Sequence, residues 1–264
     1  MNSYYPEFYS RGNYNVSRYV RIAIDHFLRA HQTMSEHFSD PFFFVEEAHE
    51  IEESILICEV FSAFAVEAFL NDYISATLLD EENELFDKLS PISKMHLISK
   101  ALFHETMNQS SDLVCKLQEL FKKRNRTVHS YSFDATHLDY MRGMTEEEFR
   151  DYEEWIEANK DEWEESMYQR LLGFRNDLLE QVSSGYDCLR TIYLLAELFD
   201  EKDQHAKALI RTFDSAIGMD IYTKAEGDYV VDKDSKYYKL MRNLKKKAPN
   251  SYKRQYGALY RHKD

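Results

Sequence analysis

Residues 55–70, "ILICEVFSAFAVEAFL", are apolar on nearly every side of a helix. A helix at the surface of a globular protein shows one apolar stripe. A helix without a polar face has to be covered all round. The run therefore demands a bundle with this segment in its middle, and the apolar pattern extends it to a helix over about Val45 to Leu79. Composition agrees. Only 7 Gly and 4 Pro occur in 264 residues, and helix formers are common, so the chain reads as all-α. Its length supplies a substantial core.

The remaining periodic segments provide the cover. Asn15 is placed to cap a helix from Val16 to His37, with Val20, Ala23, Ile24, Phe27 and Leu28 on one side. "SDPFFF" breaks it. "DEENELFDKLSP" reads as a polar loop or a short helix, and Pro91 opens the helix "PISKMHLISKALF". "HETMNQSS" ends that helix, and Ser111 or Asp112 caps the next, which carries Leu113, Leu117, Leu120 and Phe121 at spacings of three and four. A last apolar block spans about Met167 to Phe199, with an interruption expected near Ser183–Gly185. No apolar run of about 18 residues exists and the start has no leader-like apolar core, so a cytoplasmic chain without a membrane partner is expected. Cys58, Cys115 and Cys188 are expected to be free thiols, mostly buried.

Charge is unevenly spread. The formal net charge is −14, which excludes a general polyanion binder. From Ser235 to Asp264 ten Lys or Arg face one Asp, a local +9, which leaves −23 on the rest. Tyr237, Tyr238, Tyr252, Tyr256 and Tyr260 interleave with those cations. This tail reads as an RNA-binding arm, with Lys245, Lys246, Lys247, Lys253 and Arg254 on phosphates, or as a segment docked on acidic surface of its own chain. Residues 144–166 are strongly acidic, with Thr145 and Glu148 as a capping box and Trp155 and Trp163 at helical positions. They read as an inserted helix or helix pair. Three regions follow: an N-terminal extension over 1–44, a bundle over 45–200 with the acidic insert at about 138–166, and a basic Tyr-rich region over 201–264.

The chemistry concentrates in "ELFKKRNRTVHSYSF", Glu119 to Phe133. On a continuing helix Asn125 and His129 share a face, while Arg124 lies about 140° from His129 and is long enough to bend towards it. His exchanges a proton near neutral pH, and Arg offers a planar fork that fits a phosphate. Together they suit RNA cleavage, with His129 acting on the ribose 2′-hydroxyl and Arg124 on the charge that builds at phosphorus. No HExxH or CxxC pattern is present, and neither a metal nor a cofactor is expected. One Arg and one His make a thin site, which a symmetric homodimer would double. The plain alternative is a basic helix end that complements the helix dipole. His96, His104 and His137 read as structural or surface residues.

The stretch resembles the signature of HEPN domains, α-helical bundles named for higher eukaryotes and prokaryotes nucleotide-binding. Their hallmark is an Arg, four to six residues and then a His, often with Asn after the Arg. Arg124, Asn125 and His129 fit it. Upstream, "AFAVEAFLNDYI" places Glu67 and Asn71 four apart, as in the long helix before the motif in that family. The resemblance covers roughly 45–135 and 167–200. It implies a HEPN-like up-and-down bundle and a dimeric, metal-independent ribonuclease of a toxin–antitoxin or antiviral defence system. Arg124 and His129 would be catalytic, Asn125, Arg126 and Asn71 supporting, and Glu67 would position Arg124. Arg-x4-His-x-Tyr also resembles toxins whose Tyr is adenylylated by a nucleotidyltransferase antitoxin, which would make Tyr131 a modification site. The alternatives are a catalytically silent HEPN module that binds RNA or nucleotide or dimerises as a scaffold, and an interaction subunit of a defence complex using Trp155 and Trp163.

Overall fold

A computed structural model describes residues 12–37, 45–77, 86, 88–108, 110–128, 145, 150–151, 154, 157–202, 222–225 and 228–245. The fold is all-α, with helices α1 (Gly12–His37), α2 (Val45–Thr77), α3 (Pro91–Ala101), α4 (Asp112–Val128), α5 (Lys160–Lys202) and α6 (Lys236–Lys245). Between α5 and α6 a small antiparallel hairpin joins β1 (Tyr222–Ala225) to β2 (Asp228–Val231), with Ala225 opposite Asp228.

Helix α2 packs against α1, α3, α4 and α5, so the most apolar helix is the central one, with Leu56 left exposed on its outer side. Ile51, Ile55, Cys58, Ala63, Val66 and Leu70 are buried along it. Arg29 bonds Glu50 while Tyr19 meets Phe61 and Phe64, so α1 runs antiparallel to α2. Gln181 bonds Glu52 and Phe199 meets Phe69 and Tyr73, so α5 runs parallel to α2. The upper end is closed by an aromatic knot in which Phe199 stands edge-on to Phe69, Tyr73 and Phe103, at centroid distances of 4.8, 4.8 and 5.3 Å.

Local chemistry sets several boundaries. Ser90 caps α3, its Oγ accepting from the Ser93 N–H at 3.2 Å ahead of Pro91 at the first position. The far end closes through His104, which takes a left-handed backbone (φ 54°), and through the Glu105 N–H, which donates to the Ser99 carbonyl at 2.9 Å. Ser111 Oγ accepts from the Val114 N–H at 3.4 Å at the start of α4. Helix α1 begins at Gly12, a turn before the expected Asn15 cap.

Two features of α5 differ from the sequence reading. The helix starts at Lys160, so the last part of the acidic stretch is the opening of the closing helix and not an insert. It also runs unbroken through Ser183–Gly185. Gly185 is there for contact: a Cβ at this position would lie 2.8 Å from Ile55 Cδ1 and 3.3 Å from Phe27 Cδ2. Absence of a side chain lets α1, α2 and α5 converge, and the helix needs no break to use it. Thr145 lies among the described residues but Glu148, Trp155 and the side chain of Trp163 do not, so the capping box and the tryptophan surface lie outside them.

The C-terminal region is partly built into the bundle. Helix α6 packs on α5 and buries Leu240 and Leu244. Tyr237 donates its hydroxyl to Asp25 of α1 at 3.0 Å, under the Arg21 guanidinium at 5.1 Å from the ring centre. Cys58 and Cys188 are buried, and burial pushes both thiols well above their ordinary range, whereas Cys115 is exposed. No described helix is long and apolar enough to cross a membrane.

Candidate active site

The last turn of α4 is where the cations gather. Its apolar stripe, Val114, Leu117, Leu120 and Phe121, is buried against α2 and α5, which fixes the rotation of the helix. Lys123 and Arg124 follow that stripe at its edge and meet carboxylates on the central helix.

Arg124 Nη2 donates to Glu67 Oε2 at 3.0 Å, and its guanidinium lies 5.8 Å from the centre of the Phe121 ring. The two side chains keep 20% and 34% of their surface exposed, which places the pair between a surface and a buried salt bridge. Arg124 Nε is buried and has no hydrogen-bond acceptor among the described residues. One nitrogen of the fork is thus committed to Glu67, and another is shielded without a partner among the described residues.

Lys123 turns the other way along α2. Its Nζ lies 3.1 Å from Glu59 Oε1, with side-chain exposures of 29% and 13%. The Ser184 hydroxyl of α5 accepts from Lys123 Nζ and donates to Glu59 Oε1, closing a three-member network. Burial opposes the charge of Lys123, and Cys188 and Glu59 outweigh that opposition, so Lys123 titrates above its ordinary value. Burial keeps the Cys188 thiol neutral near pH 7, which leaves Glu59, with a smaller part from Asp187, as the effective counter-charge. Glu59 and Glu67 are two helical turns apart, about 12 Å along the axis. Two neighbouring cations of α4 are therefore tied to points well separated on α2.

The sequence reading did not single out Glu59, Lys123 or Ser184. The signal was available: Glu59 is the one charged residue besides Glu67 in the apolar run of 55–70. A carboxylate in such a place needs a partner.

Of the residues expected at the site, Glu67 and Arg124 are brought together. Asn71 is engaged elsewhere, its Oδ1 accepting from Lys94 Nζ of α3, a lysine that is itself buried. Asn125 and Arg126 are exposed on the same turn. His129 and Tyr131 follow the end of α4 and lie outside the described residues. Lys245 closes α6, with its side chain outside the described set, as are Lys246, Lys247, Lys253 and Arg254. Among the described residues no three His, Cys, Asp or Glu side chains form a metal-holding group.

No protein-family model matches the chain, and neither a curated protein nor a solved structure matches it.

Proposed function

We propose that the chain is a HEPN-type endoribonuclease that cleaves RNA through its own 2′-hydroxyl, with Arg124 and His129 as the reacting pair. The observation that supports this reading most is the anchoring of Arg124. Glu67 and Phe121 hold it in the last turn of α4, five residues before His129, with two further polar residues, Asn125 and Arg126, exposed beside it. A guanidinium fixed at one end by a carboxylate is preorganised for a phosphate at the other, so little reorganisation is needed when charge develops.

The chemistry then runs without a metal. His129 takes the proton of the ribose 2′-hydroxyl, and the resulting oxygen attacks phosphorus. The 5′-oxygen leaves with a proton from a protonated His129 of a second copy, giving a 2′,3′-cyclic phosphate and a 5′-hydroxyl. Arg124 stabilises the negative charge on the pentacovalent phosphorus, and Asn125 orients the His or the Arg. The second His makes a homodimer part of the proposal. The setting is a cytoplasmic prokaryotic toxin–antitoxin or defence system with an antitoxin or defence partner, in which Tyr131 is a candidate for adenylylation.

A second reading is favoured by one observation. Arg124 is mostly buried, with Nη2 committed to Glu67 and Nε shielded, as a bundle-stabilising residue would be. On that reading the chain is a catalytically silent HEPN module that binds RNA or nucleotide, or dimerises as a scaffold. Cleavage of total RNA by wild type, Arg124→Ala and His129→Ala, with EDTA present, separates the two. The nuclease reading expects His129→Ala to lose about 10²–10⁴ in rate. Wild type that dimerises but leaves RNA intact favours the scaffold.

A further inference from the structure

Helix α6 is amphipathic, and both of its faces are accounted for by position. Leu240 and Leu244 are fully buried against the bundle, and Tyr237 is tied to Asp25 and Arg21 of α1. Arg242 lies about 200° from each leucine and points outward. Lys239 is three residues before it and Tyr238 four, so the three side chains are neighbours on the outer face. Lys239 and Arg242 are exposed and Tyr238 is half-buried. The carboxylate near Lys239 is Asp234 at 3.9 Å, itself 99% exposed. Such an exposed pair is weak and is screened by salt, so it does not withhold Lys239 from another anion. On the flank, Lys236 contacts Gln32 and lies 5.8 Å from the centre of the Tyr237 ring, so the ridge is continuous with α1. The sequence carries the basic run onward through Lys245, Lys246 and Lys247.

We propose that this outer face of α6 binds single-stranded RNA, with Lys239 and Arg242 on neighbouring phosphates and Tyr238 stacking an unpaired base. Three arguments select this occupant. A local excess of positive charge on a chain of net −14 repels basic partners and attracts polyanions. The leucines are spent on the bundle, and a helix lying in a membrane interface needs its apolar face free to enter the lipid. An aromatic ring beside two cations fits an exposed base next to its phosphates, which neither a duplex nor an acidic protein surface supplies. The choice of RNA over single-stranded DNA rests on the ribonuclease reading, whereas the ridge itself rests on its own geometry.

The ridge is not part of the Arg124 site. Ser184 of α5 faces Lys123 of α4, while Tyr186 faces Phe27 of α1 at a centroid distance of 6.2 Å. Two residues along a helix turn by about 200°. Helices α1 and α4 thus cover opposite sides of α5, and α6 sits with α1. RNA held on the ridge enters the reactive site only by passing round the bundle or across to a second copy.

The test is fluorescence anisotropy with a labelled oligouridine in EDTA, on the full chain carrying His129→Ala so that cleavage cannot interfere. Adding Lys239→Gln with Arg242→Gln is expected to weaken binding roughly tenfold or more at low salt. The same pair should flatten the log–log salt dependence by about 1.4, or about 0.7 for each phosphate that is no longer neutralised. Tyr238→Ala is expected to weaken binding roughly five- to a hundredfold while leaving that slope in place. Lys239 and Arg242 are exposed, so thermal unfolding of the Gln variant should be unchanged. Equal affinity and slope in the Gln variant overturn the proposal. So does equal binding of a duplex, or binding to phosphatidylserine vesicles that depends on Lys239 and Arg242 while oligouridine does not bind. Ridge-dependent binding by a wild type that cuts no RNA supports the ridge and removes the ribonuclease reading.

Discussion

Removing Glu67 measures how firmly Arg124 is held. The pair is 3.0 Å apart, with side chains 20% and 34% exposed. At an effective dielectric of about 20 two charges near 4 Å attract by about 4 kcal/mol, but desolvation and reduced side-chain freedom cancel much of this. Exposed pairs return about 0–1 kcal/mol and broken buried pairs cost about 3–5 kcal/mol. Intermediate burial places the Arg124–Glu67 coupling at about 1–2 kcal/mol. The assay is a double-mutant cycle by urea unfolding with Glu67→Ala, Arg124→Met and the double variant. Met keeps an apolar stem against Phe121 and removes the charge. The expected outcome is a double variant less destabilised than the sum of the singles by that coupling, with an unchanged denaturant slope. Additivity within about 0.3 kcal/mol would show that Glu67 does not hold Arg124, and would refute the anchoring on which the proposed site depends.

Two glycines on α5 should respond with opposite sign. Gly173→Ala, where nothing lies within 4 Å, is expected to gain about 0.5–1 kcal/mol from helix propensity. Gly185→Ala sets a methyl 2.8 Å from Ile55 Cδ1, and overpacking of about 1–3 kcal/mol outweighs that gain, so thermal unfolding should move down. Burial raises the Asp72 carboxyl from its ordinary 3.8 to about 6, and its Oδ2 has no hydrogen-bond partner among the described residues. Its raised value adds stability that is complete below pH 3.8 and is lost as pH rises through 6, so Asp72→Asn is expected to stabilise the chain at pH 7 by about 1–2 kcal/mol after allowing for partial exposure. Burial lowers His31 from 6.5 to about 4, which gives the opposite dependence: stability present above pH 6.5 and lost as pH falls through 4. Asp72→Asn should therefore steepen the loss of stability between pH 6 and 4, measured by urea midpoints across that range, and an unchanged pH profile would contradict this assignment.

What the sequence disclosed and what it hid follow from the range of the forces involved. The central place of α2 was legible because an all-round apolar run has no other stable environment. The start of α4 was legible because capping is a matter of neighbours: Ser111 lies three residues before the N–H it accepts. Helix α5 was divided wrongly at both marks. Acidic composition made residues 160–166 look separate, although a solvated helix face can be acidic throughout. Gly185 looked like a break because its purpose, contact with Ile55 and Phe27, involves residues more than a hundred positions away. The hairpin and α6 were concealed by reading 201–264 through charge alone. Two short runs around Glu226-Gly227, and Leu240 and Leu244 at a spacing of four, were the signals. At the site, Arg124 and Glu67 were visible as a motif and its companion, while the Glu59–Ser184–Lys123 network needed α5 in place beside α2 and α4.

The most direct test of the central claim is the chemical nature of the ends. Total RNA is incubated in EDTA with wild type and with His129→Ala, and the termini of the fragments are mapped. The account predicts 2′,3′-cyclic phosphate and 5′-hydroxyl ends from wild type and intact RNA with His129→Ala. Fragments with 3′-hydroxyl and 5′-phosphate ends, or equal cleavage by the two proteins, would contradict it.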